Sequence, residues 1–182
     1  TALGSMVARL LNARFIDLPE YVREQRLYSE YDEAEEAYVV DLRRVAARIG
    51  SEIRRSGKTA VISSVYAFKP RGVEVRHALV LRLRPDVLMR VLKERGYPVK
   101  KIAENVSAEL VDQPLHDAAK LNPRNLVQLN VTGVNLERLA EEVARRIRSG
   151  GIEEMDQEVD WISELERIGR LDEVLMFLSK HA

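Results

Sequence analysis

Residues 94–112 read E-R-G-Y-P-V-K-K-I-A-E-N-V-S-A-E-L-V-D. Arg95, Gly96 and Tyr97 form a turn between two helical patterns, since a glycine at the end of a helical run closes it. The helix behind the turn runs 85–95 and opens on Pro85, whose fixed φ suits a first turn. The helix ahead runs 99–121, as one helix or as two broken near Pro114. It sets Asn105 and Glu109 one turn apart on one face. Two short apolar runs flank this helical pair, A-L-V-L-R-L at 78–83 and L-V-Q-L-N at 126–130, and both read as strands.

The alternation continues towards both ends. Residues 3–12 have apolar residues at helical spacing and stop at Asn12, and R-F-I-D-L at 14–18 is a short strand. Residues 19–24 open a helix on proline, and the acid- and tyrosine-rich stretch 27–38 reads as a loop or short helices. Asp41 caps a helix at 42–56 that Gly57 closes, and T-A-V-I-S at 59–63 is a buried strand. A loop with K-P-R-G follows at 66–73. A helix at 135–149 carries Leu136, Leu139, Val143 and Ile147 as one stripe and ends in a break at Gly150 and Gly151. Two helical patterns, 153–168 and 172–180, close the chain, and Trp161 among them reads as a packing anchor. This order predicts an α/β fold, three layers with a parallel sheet, as a core over 1–149 and a C-terminal helical extension over 150–182. A parallel sheet binds its ligand beyond the carboxyl ends of its strands. That rule puts the loops 17–26, 63–72, 82–84 and 130–133 on one rim.

With 182 residues the chain is one domain with an appendage, and its 29 basic and 29 acidic side chains balance. Balanced charge argues against a strong global field for nucleic acid, and Lys69 and Arg71 read as a solvated loop rather than an RNA contact. There is no cysteine, which excludes disulfides, thiol catalysis and thiolate metal sites. The three histidines, His77, His116 and His181, have no ligand spacing. No apolar run reaches the roughly 20 residues that a membrane-spanning helix needs.

Two longer matches carry a resemblance. The stretch 15–45 contains Leu27, Tyr28, Tyr31, Asp32 and Glu33 in a Leu-Tyr-x-x-Tyr-Asp-Glu order. Residues 95–109 contain Arg95, Gly96, Tyr97, Lys101, Ile102, Asn105, Val106 and Glu109 in the order R-G-Y-x-x-x-K-I-x-x-N-V-x-x-E. With L-V-L-R at 79–82 and Q-L-N-V-T-G at 128–133, the chain over 1–148 resembles the nuclear-type adenylate kinases, also called the coilin-interacting nuclear ATPase family. The resemblance implies a P-loop fold and ATP-dependent nucleoside monophosphate kinase and ATPase activity, with Mg²⁺ held alongside ATP. It also implies a role in small ribosomal subunit maturation, in the cytoplasm, or in the nucleus of a eukaryote. The alternative it leaves open is a weakened or inactive assembly chaperone that binds a small-subunit ribosomal protein.

The resemblance also assigns residues. Thr1 takes the place of the hydroxyl that ends the phosphate loop and holds Mg²⁺, so the loop lysine and the first strand are expected upstream of this chain. Asn130, Thr132 and Gly133 stand where the family binds adenine. Arg23, Asp32 and Asp41 fall in the monophosphate-binding region, about 15–45, although Asp41 also reads as a plain helix cap. Arg95 and Arg82 are the expected catalytic arginines. Tyr97, Asn105 and Glu109 belong to the lid, about 94–112. One departure is that Ser63 or Ser64 stands where the family ends its strand in aspartate.

Overall fold

The computed structural model describes residues 1–32 and 37–181, and only the backbone at 31, 32, 37 and 38. Helix α1 (Ala2–Leu10) leads into strand β1 (Arg14–Asp17), with Asn12 in the left-handed region between them. Helix α2 (Leu18–Glu24) begins where the Asp17 carboxylate accepts from Glu20 N. Strands β2 (Tyr28–Asp32) and β3 (Ala37–Val40) precede α3 (Leu42–Ser56), which starts on Asp41 and ends on Gly57 at φ 63°. Then come β4 (Ala60–Ser63), β5 (His77–Arg82), α4 (Pro85–Glu94), α5 (Val99–Leu110) and α6 (Gln113–Ala119). Strand β6 (Asn125–Asn130) and α7 (Leu136–Ser149) complete the alternation. The tail holds a 3-10 turn (Ile152–Met155), α8 (Trp161–Arg167) and α9 (Leu171–His181).

Strands β1 and β4 pair in parallel, with Asp17 opposite Ser63, and β5 and β6 pair in parallel, with Arg82 opposite Asn130. Among the described residues β4 and β5 share no ladder. Side chains join the two pairs instead. Val61 of β4 and Leu79 of β5 pack on one cluster made by Leu3 and Val7 of α1, Val127 and Leu129 of β6, and Ala140 and Val143 of α7. A second cluster sets α2 and α3 against β1 through Ile16, Leu18, Val45 and Ile49. A third joins α4, α5 and the tail through Met89, Leu92, Ile102, Val106, Trp161, Leu165 and Val174.

Two local expectations are corrected, at 27–38 and 153–168, and the choice between one helix and two over 99–121 is decided. The stretch 27–38 is neither loop nor helix where described. Strands β2 and β3 pair antiparallel, Tyr31 with Tyr38 and Asp32 with Ala37, because tyrosine and β-branched residues suit a pleated pair however acidic their neighbours. Glu33 lies outside the described residues. The run 99–121 breaks at Asp112, which takes φ 57°, and Pro114 falls in the first turn of α6, where its missing N–H is harmless. The pattern 153–168 is helical only at its two ends. Between them Gln157 N donates to Gln128 O of β6 at 3.2 Å, so a tertiary partner takes the chain out of the helix.

Helix α3 is held close to the loop before β5 at Gly50. A Cβ there would lie 2.9 Å from Arg71 N and closer still to Arg71 O, and Arg71 N donates to Ala46 O at 2.9 Å. Glycine inside a helix ordinarily costs about 0.5–1 kcal/mol relative to alanine. Here the steric term reverses the sign. Gly50→Ala is expected to destabilise the fold by about 1–3 kcal/mol, read as a lower urea midpoint at unchanged m-value.

Candidate active site

At the carboxyl ends of β1 and β4, the Thr1 hydroxyl donates to Asp17 Oδ2 at 2.6 Å while Asp17 Oδ1 caps α2. Helix α1 approaches both strands closely, since a Cβ on Gly4 would lie 3.1 Å from the Phe15 ring and 3.7 Å from Ser63 Cβ. Among the described residues no side chain caps α1. Thr1 and Asp17 both offer hard oxygen atoms. No group of three or more His, Cys, Asp or Glu gathers among the described residues. That sparse donor set fits Mg²⁺, which takes few protein ligands and relies on phosphate and water oxygens. Asp17 is the acid that sequence reasoning missed. It lay inside an expected rim loop, and its place beside Thr1 comes from folding α1 onto β1.

At the ends of β5 and β6 the structure corrects Arg82. Its side chain is 0% exposed and never reaches the rim. Nε donates to Glu109 Oε1 at 2.8 Å, Nη1 to Gln128 Oε1 at 2.5 Å, and Nη2 to Asp112 Oδ1 at 2.5 Å and Glu109 O at 3.1 Å. The last residue of a strand points alternately in or out, and Arg82 takes the inward position, where a charge survives only if fully paired. Asn130, Thr132 and Gly133 do stand together. Thr132 N donates to Asn130 Oδ1 at 2.9 Å, Thr132 Oγ1 accepts from Arg84 N at 3.0 Å, and Gly133 takes φ 70°.

Along residues 94–110 the chain passes from exposed to buried. Residues 94–100 are all exposed, among them Arg95 and Tyr97, whereas Ile102, Ala103, Val106 and Glu109 are buried. Glu109 therefore points into the interior from α5. Its Oε1 accepts from Trp161 Nε1 at 2.7 Å as well as from Arg82. Burial pushes the Glu109 carboxyl up, against the opposing pull of the Trp161 and Arg82 hydrogen bonds. Asn105 is exposed and its amide donates to Lys101 O at 2.7 Å, so the edge of the apolar face runs between two residues one turn apart. The Arg95 guanidinium makes no hydrogen bond or ion pair among the described residues.

On the acceptor side, Arg23 is exposed and meets Glu20 only at 3.6 Å, so its guanidinium is available. Asp41 is occupied as a cap, accepting from Arg43 N at 3.0 Å and Arg44 N at 3.2 Å. The capping need of α3 takes the oxygen that a ligand would otherwise use. The side chain of Asp32 lies outside the described residues. Lys69 Nζ donates to Leu121 O at 3.0 Å, a structural use of that basic loop. Beneath α2 a cavity of about 250 Å³ is lined by Arg14, Asp17, Glu20, Tyr21 and Glu52. The Tyr21 hydroxyl donates to Glu52 Oε1 at 2.7 Å, and Arg14 pairs with Glu52 Oε2 at 2.7 Å.

Helices packed on parallel strand pairs, with a hydroxyl and a carboxylate at the head of α1, define a P-loop NTPase type of α/β nucleotide-binding protein. A family model described as an AAA domain matches residues 1–112. A protein of Thermococcus kodakarensis named "Putative adenylate kinase" is 33% identical over 186 residues, covering 98% of this chain and 92% of the relative. Similarly named proteins of Saccharolobus solfataricus and Methanocaldococcus jannaschii are 28% and 27% identical, over 92% and 88% of this chain and 89% and 85% of the relatives. The chain belongs to the P-loop family that these proteins share. No helix among the described residues is long and apolar enough to cross a membrane.

Two measurements test this geometry. Arg82→Ala strips a buried pair of one partner and is expected to destabilise the fold by about 3–5 kcal/mol, seen in denaturant titration. The second concerns Tyr21, whose hydroxyl is pushed up to about 12 by burial and by Glu52. A raised folded-state value means the native form keeps a proton that the unfolded chain releases near pH 10. Stability is therefore full below about pH 10 and falls as pH rises towards 12. Urea titrations between those values are expected to show this loss, and Tyr21→Phe is expected to flatten it.

Proposed function

We propose that the protein is a nucleoside monophosphate kinase that moves the γ-phosphoryl group of ATP to AMP. Support comes from the Arg95 guanidinium, which has no partner among the described residues and stands on an exposed turn between α4 and α5. Arginine 82, by contrast, is fully engaged inside the fold. In this reading Thr1 is the hydroxyl-bearing end of the phosphate loop, beside the α1 N-terminus, where helix N–H groups favour phosphate. Asp17 holds the Thr1 hydroxyl in place. Bound Mg²⁺ would neutralise charge on the β- and γ-phosphates. Arg23 grips the acceptor monophosphate, as a guanidinium does bidentately. An AMP phosphate oxygen forms the new P–O bond as the bond between the γ-phosphorus and the β–γ bridging oxygen breaks, leaving two ADP molecules. The lid turn brings Arg95 onto the transferring group and offsets charge that builds in the transition state. No covalent enzyme intermediate is needed. Asn130, Thr132 and Gly133 form the base-binding turn.

A second reading draws on the serines at the end of β4, Ser63 or Ser64, one of which stands where the resembled family ends its strand in aspartate. It makes the protein an assembly factor that binds a small-subunit ribosomal protein and turns over weakly.

The test is ADP formation from ATP and AMP by the full-length protein. Arg95→Ala is expected to lower kcat by about 10²–10³ with an unchanged melting temperature. Asp17→Asn is expected to raise the Mg²⁺ concentration needed for half-maximal rate by about tenfold. Turnover indifferent to Arg95 would sink the catalytic assignment. Absent turnover together with intact ribosomal-protein binding would favour the second reading.

A further inference from the structure

The tail touches two parts of the site at once. After Ile152, buried with α1, β6 and α7, the chain runs along the outer edge of β6. Asp156 Oδ1 accepts from Gln128 N at 2.7 Å, and Gln157 N donates to Gln128 O at 3.2 Å. The Gln157 side chain then reaches one residue pair further, where Oε1 accepts from Asn130 N at 2.6 Å. Asn130 in turn holds Thr132 N through Oδ1. Gln157 thus fixes the first residue of the turn 130–133 from outside. Three residues later Asp160 caps α8, accepting from Ser163 N at 3.0 Å, and Trp161 enters the interior. Its ring lies 5.8 Å from the Arg82 guanidinium, and its N–H holds Glu109 on α5. Leu165 and Val174 complete the contact with α4 and α5, the two helices that carry the exposed lid turn.

Either contact alone would be ordinary packing. What matters is that a six-residue stretch binds both the turn that precedes α7 and the anchored half of the lid helix, with no flexible spacer between its two attachments. We propose that residues 156–161 are a positioning strap for the nucleotide site. Gln157 holds the base-binding turn Asn130, Thr132 and Gly133, and Trp161 holds Glu109, so that the turn and the lid helix are set relative to each other by the tail. The proposal rests on the nucleotide reading of the preceding subsection. Gln157 is a positioning residue, acting through Asn130. It is exposed, so its replacement leaves the core intact.

The experiment uses the full-length protein with Gln157→Ala and compares two probes by equilibrium titration. ATP engages phosphate and base subsites; tripolyphosphate has a similar phosphate chain and no base. Loss of one hydrogen bond that orients the turn is expected to weaken ATP about five- to tenfold and leave tripolyphosphate unchanged. Trp161 is the single tryptophan of the chain, so its emission reports on the lid anchor directly. Saturating ATP is expected to shift that emission in the wild type. Equal weakening of both probes, or no weakening of either, overturns the base-turn half of the proposal. Unchanged Trp161 emission at saturating ATP overturns the lid half. A wild type that binds tripolyphosphate but gains nothing from the base overturns the strap and spares the phosphate site. A wild type that binds neither probe overturns the nucleotide reading and the strap together.

Discussion

A guanidinium with no access to water organises this molecule. Arg82 sits at the end of β5 with its side chain fully inside, and moving such a charge out of water is tolerable only when its N–H groups find acceptors. Three of its neighbours come from elements distant in the chain: Gln128 on β6, Glu109 on α5 and Asp112 at the α5–α6 turn. Satisfying one side chain therefore fixes the position of a strand, a helix and a turn. Asp112 illustrates the consequence. It adopts a left-handed backbone that a non-glycine residue rarely takes, and its carboxylate goes to Arg82 instead of capping α6. The same network holds Trp161, which brings the tail into the core.

The division of labour between the arginines follows from this. A residue whose three guanidinium nitrogens all donate inside the fold cannot turn towards a ligand without leaving Glu109 and Gln128 unpaired. Arg95 caps the carboxyl end of α4, and its guanidinium has no such partners among the described residues. Residues 94–100 are exposed between the clusters at Met89 and Leu92 on one side and Ile102 and Val106 on the other.

The acid near Thr1 makes a related point about substitution. Ser63 is the register partner of Asp17 across the β1–β4 ladder. Asp17 brings a carboxylate to the same rim as Ser63, within hydrogen-bonding distance of the Thr1 hydroxyl. Adjacent parallel strands deliver their last residues to the same rim, so a carboxylate can be supplied from either. A linear motif tied to one strand has no means of registering this.

Much of the fold was legible along the chain, because caps and periodicity are local. Asp41 and Gly57 bounded α3, Asn135 opened α7, and the apolar runs at 78–83 and 126–130 marked strands that the structure pairs residue for residue. The turn at 95–97 was legible for the same reason. What the chain concealed was every feature set by a partner far away in sequence. Acidic residues hid the β2–β3 hairpin, since strand pairing depends on the facing residue. The helical spacing at 153–168 hid an extended segment held by the edge of β6. Arg82 looked like a ligand arginine because sequence shows where a side chain starts and not which side of the strand it leaves. The caps of α3, the strands at 78–83 and 126–130 and the turn at 95–97 were determined by the sequence itself. Which charges are buried and paired, which are free, and which acid meets Thr1 were decided only when distant segments packed, because desolvation is a property of the whole fold.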